Sequence, residues 1–213
     1  MDITRRHLVG SSLLLGAGVA APARAALRPT RPMDLGPFFP VAHGKDVDAD
    51  LTRVEGRGGV ARGEIIEVTG RVLDRDGKPV PGARLDIWQA NAAGRYLHKG
   101  DTHDAPLDMN FQGFAVLRAD AEGRYKIRTV HPGYYPASGY QRASHIHFMV
   151  DGDNSRLVTQ MYFENDPWLA QDQTLIRDLR GKAAPWPKDI FGVKSAGADG
   201  VPVYAWDVVL LYG

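Results

Sequence analysis

From Glu64 onward, apolar positions recur in short runs with a two-residue period, broken by glycine, proline and aspartate. Ile65, Ile66, Val68, Val72 and Leu73 form a β-branched run, Arg75-Asp76-Gly77-Lys78 reads as a turn, and Ala83 to Gln89 alternates apolar with polar. Further runs cover Phe114 to Arg118, Tyr125 to Val130, His145 to Val150, Leu157 to Tyr162 and Val203 to Leu211. Period-two segments of this length, closely spaced and separated by turn residues, predict the strands of an all-β sandwich rather than an α/β sheet. One helix is predicted over Pro167 to Arg180, capped by Asp166, with Leu175, Ile176 and Leu179 on one face and Gly181 ending it. Ala26 to Asp50 is rich in proline and glycine without periodicity, which predicts an extended arm laid over a single domain spanning 51–213. His131 to Pro136 reads as a turn between strands.

Composition narrows the chemistry. The 213 residues are 44% apolar and 24% charged, with a formal net charge of +1. That is an ordinary globular composition, and it carries no basic run that would draw nucleic acid to the fold. Cysteine is absent. Disulfides, iron–sulfur clusters, thiolate zinc sites and thiol nucleophiles are thereby excluded, and any metal must be held by nitrogen and oxygen. The first 25 residues have the pattern of a twin-arginine export signal: Arg5-Arg6, a small and apolar stretch from Leu8 to Ala21, then Ala23-Arg24-Ala25 as a cleavage site. The expected product is a soluble periplasmic or secreted domain, with no membrane segment after cleavage.

Candidate chemistry centres on Arg142-Ala143-Ser144-His145-Ile146-His147-Phe148. On a strand, an H-x-H pair puts both imidazoles on one face, where they can share a metal ion or simply hydrogen-bond within a core. Tyrosines upstream, in Gln89 to His98 and His131 to Pro136, offer further donors, and Tyr135 precedes a proline that favours extended geometry. Phenolate oxygen is a hard donor that suits a ferric ion better than zinc or cuprous ions.

The strings G-R-V-L-D-x-D-G-K-P-V-P-G, L-D-I-W-Q-A-N-A-A-G-R-Y, P-G-Y-Y-P, R-A-S-H-I-H-F and T-Q-M-Y-F-E-N-D-P together resemble the intradiol ring-cleavage dioxygenases, most of all their protocatechuate-cleaving, iron-binding β chains. The resemblance runs from about Gly36 to Leu210. It implies that Tyr96, Tyr135, His145 and His147 ligate a non-haem Fe(III), with hydroxide completing a charge-neutral site. It also implies that Tyr135 is the ligand that leaves when a catechol binds, that Arg142 is catalytic and contacts substrate, and that Gln160 is a substrate-binding residue of the pocket. The implied reaction opens a catechol ring with O2 to a cis,cis-muconate-type diacid. A partner is implied too, either a further copy of this chain or a homologous α-type chain. Ala137-Ser138 stands where the protocatechuate enzymes carry a tryptophan, which implies a more open pocket. The competing expectation is an exported β-sandwich binding module with a degenerate or non-iron metal site.

Overall fold

The computed structural model describes residues 25–40, 45–181 and 184–213. The export signal expected over 1–25 therefore lies outside the described residues, apart from Ala25. Among the described residues no helix is long and apolar enough to cross a membrane.

Two sheets form the sandwich. In the first, β1 (Ile65–Leu73) is the centre: β4 (Arg124–Val130) pairs with it antiparallel along one edge, and β10 (Pro202–Ala205) and β11 (Val208–Val209) pair parallel to it along the other. β9 (Val193–Ala196) extends that sheet from β10. The second sheet has the order β3 (Phe114–Arg118), β2 (Arg84–Trp88), β7 (His145–Asp151), β8 (Arg156–Tyr162), with neighbours antiparallel throughout. Between the sheets lies the main core, with Ile66, Val68, Val72 and Ile127 meeting Leu85, Ile87, Ile146, Phe148, Val150 and Met161. Most of these are fully buried.

The two-residue period has a consequence for the second sheet. If Ile146, Phe148 and Val150 point between the sheets, then His145, His147 and Met149 point to the outer face. That face would ordinarily be wet. Here it is covered by the arm, by the long loop joining β2 to β3, and by a small hairpin of β5 (Tyr135–Ala137) and β6 (Tyr140–Arg142). A second apolar cluster, containing Trp88, Tyr96, Phe114 and Tyr135 with Phe38 and Phe39 of the arm packed on it, fills the space. Along β8 the arm adds a main-chain bond, Met33 N–H donating to Val158 C=O at 2.9 Å.

Three sequence expectations need correction. The segment from His131 to Pro136 is not turn throughout, because Tyr135 begins β5 and pairs with Arg142 across the hairpin. The run from Val203 to Leu211 is two strands. At the break, Trp206 C=O sits so close to Gly70 that a β-carbon there would lie 1.8 Å from it, and the Asp207 carboxylate replaces a backbone acceptor for Arg71 N–H at 2.9 Å. The predicted helix also starts late. Leu169–Gln171 is a 3-10 turn, and α1 (Gln173–Asp178) is capped by Asp172, whose side chain accepts from Leu175 N–H at 2.9 Å. Asp166 instead accepts the N–H groups of Trp168 and Ser144.

Candidate metal centre

Cross-strand register on the outer face produces a row of side chains: Phe114 opposite Trp88, Trp88 opposite His147, His147 opposite Gln160. His145 lies opposite Tyr162 in the next row. Trp88 stacks on His147 at 4.7 Å between centroids and 8° between planes, which fixes that imidazole's ring plane. His145 is fixed differently, by Nδ1 donating to Ala143 C=O at 2.6 Å. With the proton on Nδ1, its Nε2 presents a lone pair inward.

Three atoms converge there. His145 Nε2 and His147 Nε2 are 3.1 Å apart, and Tyr96 Oη is 3.1 Å from His147 Nε2 and 3.5 Å from His145 Nε2. Tyr135 completes the cluster, its ring edge-on to Tyr96 at 5.3 Å and 5.7 Å from the His145 ring. All four residues are buried. Protons alone serve this triangle poorly, since the phenol donates one hydrogen and the His145 nitrogen carries none. A metal ion with bonds of about 2 Å to nitrogen and oxygen spaces its ligand atoms roughly 3 Å apart, so the donor set fits one. Among the described residues no group of three or more His, Cys, Asp or Glu side chains could hold a metal, so a site here depends on the two phenols.

Electrostatics sets the protonation state of the four donors. Burial, reinforced by the nearby Arg142 charge, holds His145 and His147 well below the ordinary histidine range, so both are neutral donors. Burial pushes Tyr96 well above the usual phenol value, and repulsion from Tyr135 adds to it; burial also raises Tyr135, against the pull of Arg142. Both phenols thus keep their protons until a cation displaces them.

Arg142 borders the cluster and is itself buried. Its Nε donates to both Asp172 oxygens at 3.0 Å, Nη1 to Tyr135 Oη at 3.2 Å, and Nη2 to Gln160 Oε1 at 2.8 Å and Tyr162 Oη at 3.0 Å. Burial opposes its charge, but the surrounding phenols and Asp172 more than offset this and raise its pKa. Gln160 stands behind Arg142, fully buried, with Oε1 also accepting from Tyr162 and Nε2 donating to Asp34 C=O at 2.6 Å.

A cavity of about 300 Å³ opens onto this arrangement. Tyr135 and Arg142 form its inner end, Ala137, Ser138 and Tyr140 one wall, and Asp34, Gly36, Pro37 and Phe38 of the arm another. Gln160 is not among the lining residues. Over the histidines the arm lies close enough that a β-carbon on Gly36, at φ +72°, would be 3.1 Å from His147 Cε1. Sequence reasoning missed Asp172, Tyr162 and Gly36. Tyr162 was reachable, being two residues beyond Gln160 on one strand face, but nothing local marks Gly36 or ties Asp172 to an arginine thirty residues earlier.

Fold and site define a class: a β-sandwich carrying a buried two-histidine, two-tyrosine centre on the outer face of one sheet. A family model described as "Dioxygenase" matches residues 35–210. The chain is 51% identical over 158 residues to the protocatechuate 3,4-dioxygenase beta chain of Burkholderia cepacia, covering 68% of this chain and 67% of that one. It is 36% identical over 126 residues to a hydroxyquinol 1,2-dioxygenase of a Rhizobium species, covering 52% of this chain and 41% of the relative. Among solved structures, the dioxygenase domain of a carbohydrate-binding fusion protein from Streptomyces sp. SirexAA-E superposes with a TM-score of 0.64 at 24% identity, over 87% of this chain and all of that one. This chain belongs to the intradiol ring-cleavage dioxygenases. It spans two thirds of the first of these relatives and about two fifths of the second.

Proposed function

We propose that this chain binds a non-haem ferric ion through Tyr96, Tyr135, His145 and His147 and cleaves catechol-type rings with O2 between the two hydroxyl-bearing carbons, giving a muconate-type diacid. The observation that carries this reading is the convergence of the two imidazole Nε2 atoms and the Tyr96 phenol, with Tyr135 beside them and facing the cavity. The bound ion supplies the redox-active centre through which an electron-rich catecholate becomes reactive toward O2. The chain's own residues do the rest. The histidines enter as neutral donors because they are buried beside Arg142. The phenols give up protons to coordinate, and Tyr135, the one lining the cavity, is placed to take a proton back from a catechol hydroxyl. Arg142 reaches the same space with a charge fixed by Asp172, Gln160 and Tyr162, which suits it to stabilise negative charge on a substrate oxygen. Gln160 acts through Arg142. The arm excludes water, with Phe38 4.7 Å from the Tyr96 ring.

The relatives are named for protocatechuate, hydroxyquinol and catechol. Ala137 and Ser138 form an open wall of the cavity, so substituted catechols are the substrates we propose. We further propose export by the twin-arginine route from the Arg5-Arg6 pattern. Iron-loaded protein should be red-brown from phenolate-to-iron charge transfer, and a catechol panel under O2 should yield muconate-type products. A yellow semialdehyde product, or a colourless iron-loaded protein, would overturn the reading.

A further inference from the structure

The outer end of the cavity is built from charges that the proposed reaction does not use. Helix α1 turns one face to it: Thr174 and Arg177, three residues apart, both line the cavity. Thr174 is buried, and its Oγ1 lies 2.5 Å from Tyr140 Oη, so a pair of hydroxyls forms part of the wall. The side chains of Arg177 and Asp34 are 61% and 41% exposed, whereas Tyr135 and Arg142 are buried, which places the first two at the mouth. Arg177 Nη2 donates to Asp34 Oδ2 at 2.5 Å and to Asp178 Oδ1 at 3.4 Å. Asp178 in turn accepts the Asp34 N–H on Oδ2 at 2.8 Å. One guanidinium thus sits between two carboxylates. At the inner end, Arg142 is matched by Asp172. Among the described residues, the two cations lining the cavity are therefore paired with three carboxylates, and the excess charge is negative and lies at the mouth.

We propose that this mouth selects ring substituents by charge, accepting catechols that carry a neutral hydrogen-bonding group and disfavouring those that carry a carboxylate. The inference deepens the ferric reading above and rests on it. With the two ring hydroxyls turned to Tyr135 and Arg142, a substituent on the far side of the ring points outward, to Asp34, Thr174 and Arg177. A hydroxyl or amide there can donate to Asp34 or exchange hydrogen bonds with the Thr174 and Tyr140 hydroxyls. A carboxylate must approach a guanidinium already held by two carboxylates, and it sets a further negative charge beside them. Exposure screens that repulsion and holds the expected discrimination to roughly fivefold, the worth of one charge pair at about 4 Å in water. Asp34 and Arg177 thereby determine specificity at the substituent and leave the ring chemistry to the inner end.

The test compares protocatechuate with its carboxamide, which share a shape and differ by one charge. Iron-loaded full-length protein is titrated with each in the absence of O2 and followed by its visible band, and kcat/KM is then measured under O2. The expected result is an amide bound roughly fivefold more tightly than the carboxylate by the wild type at low salt, with the gap narrowing at high salt. Asp34→Asn should close the gap, and Arg177→Gln should widen it. Loosening of the arm in either variant would move both ligands together, so opposite movements of the ratio isolate charge. A carboxylate bound by the wild type as tightly as the amide, or a ratio that neither variant changes, would overturn the inference and leave the ferric reading intact. Tighter carboxylate binding that disappears in Arg177→Gln would also overturn it, by making Arg177 the receptor of the anion. A colourless iron-loaded protein would remove the ferric reading, and this inference with it.

Discussion

Two adjacent tyrosines, Tyr134 and Tyr135, show how a single strand position decides chemistry. Tyr135 is buried in the centre, while Tyr134 is half exposed and packs against Trp168 at 5.1 Å. Strand alternation from β5 separates them, because neighbouring side chains point to opposite sides. Tyr135→Phe should therefore shift the visible band of the iron-loaded protein and slow substrate binding, since a phenolate donor and its proton acceptor are both lost. Tyr134→Phe should leave the band in place. Absorption spectra of the two variants decide the assignment, and the opposite pattern would transfer the ligand role to Tyr134.

At the scale of elements, α1 and the β5–β6 hairpin are joined through one carboxylate. Asp172 caps the helix at Leu175, accepts Ala143 N–H at 3.0 Å and holds the Arg142 guanidinium, with its own side chain fully buried. Asp172→Asn keeps the shape and leaves Arg142 as a buried charge without its counterion. The expected loss is about 3–5 kcal/mol, together with reduced ring cleavage as Arg142 shifts, measured by urea denaturation and turnover. Retention of wild-type stability would show that the phenols alone can hold the charge. The same junction marks where sequence reasoning stops. Strands with an apolar inner face, such as Ile146, Phe148 and Val150, were legible because burial on one side imposes a period of two. The H-x-H pair was legible for the same reason. β5 and β6 were not, since three-residue strands show no period, and β9 was not, since all four of its residues are exposed. Helix α1 was placed but its start was not: Asp166 and Asp172 are both acceptable caps locally, and only the distant Arg142 selects between them. The four proposed ligands were recognisable as motifs, whereas the Gly36 approach depends on an arm whose path nothing local dictates.

For the whole molecule, two properties follow from how charge is distributed between the inside of the fold and the rest of the chain. Changing Arg5 and Arg6 together to Lys should leave unprocessed protein in the cytoplasm, which fractionation and N-terminal sequencing would reveal; continued release of a product beginning at Ala26 would remove the twin-arginine proposal. The second property concerns pH. His131, His145 and His147 are all held below their ordinary value of 6.5, each chiefly by burial. In the metal-free protein they are neutral when folded, whereas the unfolded chain takes up protons as pH falls below about 6.5. Stability is therefore fully present above that pH and declines below it, toward the depressed folded values. For His145 and His147 the limiting slope is about 1.4 kcal/mol per pH unit each. The metal-free urea midpoint should be flat between pH 8 and 7 (on the order of one unit above the histidine range) and should fall steadily from 6.5 to 5. Iron should raise the midpoint at every pH, most at neutral pH, because coordination also expels the phenol protons. Replacing both His145 and His147 by Gln should flatten much of the acid limb in the metal-free protein. A double variant with the wild-type slope would assign the acid sensitivity to other groups.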